Sequence, residues 1–200
     1  MKSIITTKFL SENYSTLHGL KAVPVGLCLL LISLWANGLF DSTKILSLPI
    51  AFAIISLLLF ITVDQYYKRT FGEVKPTFAS RRTQLLGILI FAILAIIAVV
   101  ADLTFKLPVN FYGLVFATIL LIDKPKVALP LNKFSITKLI LSVCIILASI
   151  SPLFLGANWW NTFGIRTTFL GITMLVGTLM VVEGIIWHIL FIKSLPIAEA

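Results

Sequence analysis

Six apolar stretches, residues 22–40, 45–63, 85–101, 107–122, 139–155 and 168–192, dominate this chain, and the first five contain no charged side chain. A helix needs about 20 such residues to cross the hydrocarbon core of a bilayer. Within that core, backbone N–H and C=O groups must be satisfied inside helices or a closed barrel. Barrel strands alternate apolar and polar side chains. These runs do not alternate, so helices are expected. The expected fold is an all-α polytopic membrane bundle of about six transmembrane helices in three hairpins. The fourth run is the shortest. At about 1.5 Å per residue it covers roughly 24 Å, so snorkelling by Lys106 or local bilayer thinning would have to help it span.

Composition supports this reading. Of the 200 residues, 59% are hydrophobic and 12% charged, against about 25% charged in a soluble domain. A mean hydropathy of +1.07 leaves too little polar surface to cover a water-soluble globule. One transmembrane domain over residues 1–200 is expected, with a cytoplasmic or interfacial segment at 1–21 and basic cytoplasmic loops at 64–84 and 123–138. The first apolar run begins only near Ala22 and no small-residue cleavage site follows it, unlike a secretory signal. Residues 4–20 carry a loose apolar stripe (Ile4, Phe9, Leu10, Tyr14, Leu17) that fits a short helix lying on the membrane surface.

The net charge of +8 fits basic loops against anionic lipid rather than nucleic acid. Thirteen of the 16 basic residues fall on one side of the expected topology, leaving Lys44, Lys106 and Arg166 on the other. Basic loops stay cytoplasmic. Both termini are therefore expected in the cytoplasm. The outer connections are short, at residues 41–44, 103–106 and 156–167. Pro24, Pro49 and Pro108 sit near the starts of their runs, where a missing N–H costs little, and Pro152 should bend or end the fifth helix.

Few polar groups lie inside the runs. Glu183 is the most informative. A carboxylate near mid-membrane costs about 2.5–3.5 kcal/mol, so it must face protein or water. No Lys or Arg is expected at its depth. It would be protonated or solvated by groups such as Ser33, Asn37, Ser56, Thr118 or Ser142, and it is a candidate ligand- or proton-binding group together with His188. Gly177 and Gly184 form a small-residue seam where another helix can approach closely, with Glu183 and His188 on its two shoulders. Ala92, Ala95, Ala98 and Ala101 make a second packing face. Asp64, Asp102 and Asp123, at helix boundaries, are expected to be solvated. Two histidines and two cysteines, the latter within apolar runs, give no reason to expect a metal or a cofactor.

After the second run the chain reads Asp64-Gln65-Tyr66-Tyr67-Lys68-Arg69-Thr70-Phe71-Gly72. Aromatics and bases beside a helix end make an interfacial anchor and a phosphate-binding patch. Tyr66, Tyr67, Lys68, Arg69, Arg81 and Arg82 are candidates for lipid or partner docking. This D-x-Y-Y-x-R-x-F-G stretch resembles one in small bacterial multi-pass membrane proteins of unassigned activity. The resemblance implies a bacterial plasma (inner) membrane. The aromatic stretch Trp159-Trp160-Asn161-Thr162-Phe163 reads as an interfacial belt.

The chain contains no C-x-x-C, H-E-x-x-H, G-x-S-x-G, Walker A or potassium-filter motif. The first expectation is thus a non-enzymatic membrane protein, a subunit or regulator of a complex such as a transporter, with membrane lipids, another membrane protein or its own copies as partners. A small-solute transporter or substrate-binding component using Glu183 is the alternative. In size and topology the chain is similar to the substrate-binding subunits of energy-coupling-factor transporters. A lipid-active membrane enzyme comes last.

Overall fold

The computed structural model describes residues 19–39, 47–71, 78–105, 108–122, 132–156 and 158–194. Among them all regular structure is helical, with no strand. A 3-10 turn, Gly19–Lys21, leads into α1 (Ala22–Ala36). It is followed by α2 (Ser47–Phe71), α3 (Phe78–Phe105), α4 (Phe111–Ile122), α5 (Asn132–Leu155) and α6 (Thr168–Ser194). A second 3-10 turn, Trp159–Phe163, joins the last two. Five helices are long and apolar enough to cross a membrane, and α4, with 12 residues, is shorter. The surface segment expected at residues 4–20 lies almost wholly outside the described residues, as does most of the loop expected at 123–138.

Helices outrun the apolar stretches. Helix α2 continues to Phe71, so Asp64 to Phe71 form its last two turns rather than a loop. Arg81 and Arg82 belong to the start of α3. Helix α5 starts at Asn132, about two turns before Leu139. The residues added to α2 and α5 include Gln, Lys and Arg, which have good helix propensity, so the helix persists where hydropathy stops.

The most extensive contacts join α1 to α6 and α4 to α5, although sequence neighbours α1–α2, α3–α4 and α5–α6 also pack. Helix α6 is therefore central. The core holds Ala117 of α4, Ile145 of α5, and Ile172 and Val176 of α6, all at 0% exposure. By contrast, the described side chains of α2 bury only Tyr67, and those of α3 bury only Ala98. Ala92 and Ala95 are half-buried on the same side of α3 as Ala98. Phe91 on this face meets Phe116 of α4, with centroids 6.4 Å apart.

Glycine sets the α1–α6 distance. The helices run antiparallel, and Gly19 faces Gly184 as Gly26 faces Gly177. A Cβ on Gly26 would lie 2.6 Å from the Gly177 carbonyl oxygen, and one on Gly184 would lie 2.7 Å from that of Gly19. Only glycine lets the backbones meet this way. The seven-residue spacing on both helices repeats the contact two turns along.

Candidate functional site

At one end of the bundle, the final turns of α2 meet the start of α1 and the end of α6. The Tyr67 ring is fully buried. Its hydroxyl lies 2.8 Å from Nδ1 of His188 and accepts the Leu20 N–H at 3.3 Å. That N–H belongs to the 3-10 turn, where an amide lacks an upstream helical partner. Tyr66, Phe71 and Phe191 surround the pair with edge and tilted ring contacts. Centroids of Phe71 and Phe191 are 5.0 Å apart, and those of Tyr66 and His188 6.1 Å. Beside this cluster Asp64 bridges Lys21 at 2.6 Å and Lys68 at 2.7 Å. Asp64 is thus tied to protein cations rather than simply solvated.

These contacts bring together two groups of residues that lie far apart in sequence, the α2 stretch and His188. They divide the α2 stretch as well. Tyr67 points into the bundle and acts as a packing residue. Tyr66, Lys68 and Arg69 stay exposed. Arg82 is exposed at the start of α3. The Arg81 side chain lies outside the described atoms.

Glu183 is half-buried on α6. The five side chains expected to solvate it are engaged elsewhere. Ser33, Thr118 and Ser142 donate to carbonyls four residues back, Leu29, Leu114 and Lys138. Ser56 donates across helices to the Pro24 carbonyl at 2.6 Å. Asn37 serves the opposite end of the bundle. Its amide donates to the Gly164 carbonyl and accepts the Arg166 N–H, both at 2.9 Å. One expectation is overturned outright. Lys138, placed by hydropathy in a loop, is 7% exposed inside the bundle, with Nζ 4.8 Å from the ring centroid of Trp187. A basic group therefore does lie within about one turn of Glu183's depth, because α5 begins earlier than its apolar run.

No family model, curated protein or solved structure matches this chain.

The opposite end carries a second polar node, around Pro152, which lies inside α5 while the helix continues to Leu155. Pro152 cannot bond the Ala148 carbonyl, and Ser151 Oγ donates to it instead at 2.7 Å. The neighbouring Ser149 carbonyl accepts the Asn110 N–H at 3.0 Å. Asn110 Oδ1 in turn caps α4 through the Gly113 N–H at 2.8 Å. Asp102, at the end of α3, accepts the Phe111 and Tyr112 N–H groups at 2.7 and 2.9 Å. The free N–H groups of a helix start are a standing cost in an apolar medium, and these three are all met. A carboxylate there also complements the helix dipole. Gly113 makes the node possible, since a Cβ would strike Ser149 Oγ. Sequence reading missed this role for Asp102 and Asn110, although an Asn immediately before an apolar helix is a recognisable cap signal.

Among the described residues, no group of three or more His, Cys, Asp and Glu side chains could hold a metal ion. Cys28 and Cys144 are free thiols.

Proposed function

We propose that this protein is a non-enzymatic component of a membrane assembly, a subunit or regulator that docks against another membrane protein. The observation that carries this reading is the division of labour among its helices. Helices α1, α4, α5 and α6 form the packed unit. Helices α2 and α3 are each long enough to span, yet each lies against the unit along one side and leaves most of its surface uncovered. Leu57, Leu58, Ile88 and Ile96 are 59%, 59%, 64% and 63% exposed. Lipid alone tolerates such faces, and a partner helix can use them at no desolvation cost from water. The intramembrane hydroxyls support the reading. Ser33, Ser56, Thr118, Ser142, Ser149, Thr173 and Thr178 each donate to a backbone carbonyl. They stabilise helices rather than converge on a common centre.

In this reading both termini and the Lys21–Asp64–Lys68 end face the cytoplasm of a bacterial inner membrane, with Lys68, Arg69 and Arg82 towards anionic headgroups. Photo-crosslinking tests the assembly. A photoreactive residue at Leu57 or Ile96, expressed in native membranes, should give discrete protein adducts. Lipid adducts alone at both positions contradict it.

A second reading, solute transport, is favoured by one observation. Lys138 lies within the bundle near the level of Glu183, so opposite charges exist where a polar solute could bind. Unchanged transport by a Glu183→Gln variant would remove this reading.

A further inference from the structure

Lys138 is a cation sealed among helices, and its aromatic contact with Trp187 does not supply a counter-charge. Only three acidic residues fall within the described segments, Asp64, Asp102 and Glu183. Asp64 holds Lys21 and Lys68 at its own corner. Asp102 caps α4 at the opposite end. Glu183 is the acid on the helix that Lys138 faces.

The register of α5 against α6 brings the two level. Ile145 of α5 shares the core with Ile172 and Val176 of α6. Lys138 precedes Ile145 by seven residues, and Glu183 follows Val176 by seven. Seven residues are about 10.5 Å and nearly two full turns, so each charged residue stays on the face of its core neighbour. The helices run antiparallel, because Lys138 near the start of α5 meets Trp187 near the end of α6. Moving two turns towards that end from the Ile145–Val176 contact reaches Lys138 on one helix and Glu183 on the other. Trp187, four residues beyond Glu183, lies on the same side of α6 and is 4% exposed.

The geometry points to an intramembrane ion pair between Lys138 and Glu183, with the Trp187 indole covering the ammonium. Each charge alone is costly at this depth. Together they offset one another, and the pair fixes the register of α5 on α6. Glu183 is then a structural counter-ion rather than a group held open for a solute. The pair stands independently of the assembly reading, since it concerns only contacts within one chain.

A double-mutant cycle in detergent-solubilised full-length protein tests it, with Lys138→Met, Glu183→Gln and both together. Breaking one partner of a buried pair strands the other charge. Each single variant should lower the folding equilibrium constant by roughly 100-fold or more, and the double variant should recover most of that loss. Additive losses, or a Glu183→Gln variant as stable as the parent, would overturn the pair. A second measurement serves variants that do not accumulate. In a background carrying Cys28→Ala and Cys144→Ala, Lys138→Cys with Glu183→Cys should be joined by a short bismaleimide in native membranes. Failure to cross-link, when both thiols label singly, would overturn it.

Discussion

The Tyr67 hydroxyl lies 2.8 Å from His188 Nδ1, joining the end of α2 to the end of α6 across 121 residues of sequence. Because the same hydroxyl accepts the Leu20 N–H, one side chain ties three elements. Helix α2 is also held to α1 by the Ser56–Pro24 bond and to the 3-10 turn by the Asp64–Lys21 ion pair.

Tyr67→Phe removes both bonds and keeps the ring. The stranded imidazole nitrogen and amide should cost about 1–3 kcal/mol, read as a lower unfolding midpoint in detergent. The Leu20 amide should also exchange faster with deuterium. Unchanged exchange at Leu20 would show that the hydroxyl does not hold that turn.

The glycine seam gives the sharpest contrast. Gly26→Ala and Gly177→Ala each place a methyl against backbone of the facing helix, with no side chain free to move aside. Overpacking of this kind costs about 1–3 kcal/mol. Gly87→Ala on α3 is the internal control, since nothing lies within 4 Å of a Cβ there. It should be neutral or stabilise by up to about 1 kcal/mol. Equal effects at Gly26 and Gly87 in a thermal-unfolding series would contradict close α1–α6 contact.

Much of this fold can be read from the sequence, and the gaps have physical reasons. Apolar runs mark helices because lipid solvates them directly, so all six helices were visible as runs, the fourth as the shortest. Five are long enough to span and the fourth has 12 residues. Gly177 and Gly184 signalled a close approach, but their partners did not stand out. Gly19 precedes the first apolar run, and Gly26 carries no mark of pairing with Gly177 in a single sequence. Lys138 was misplaced because hydropathy locates the membrane-like stretch and not the helix, and a lysine can be carried inside on extra turns. The Asp102–Asn110 cap joins residues across a connection, where spacing alone carries little information.

Asp102→Ala leaves the Phe111 and Tyr112 amides without their carboxylate. Loss of a helix cap costs about 0.5–2 kcal/mol, and the short α4 has few other bonds to share the loss. Asp102→Asn, which keeps one acceptor, should lose less. Exchange rates of the Phe111 and Tyr112 amides follow the cap directly, and no change in Asp102→Ala would refute it.

At the other end of α1, Asn37→Ala removes both bonds to the 164–166 segment. Each is worth about 0.5–1.5 kcal/mol, and both bonds are exposed, so the lower figure applies. The expected signature is local: faster exchange at the Arg166 amide with little change in the global midpoint. A large global loss would mean that Asn37 has a wider role.

The assembly reading meets its most direct test in native mass spectrometry of the protein extracted from its own membranes with surrounding lipid. The expected result is a defined species heavier than the 22.1 kDa chain plus lipid, carrying a second polypeptide or further copies, and lost when bulky residues replace Leu57 and Ile96. A stable single chain with lipid alone, at native expression level, would contradict it.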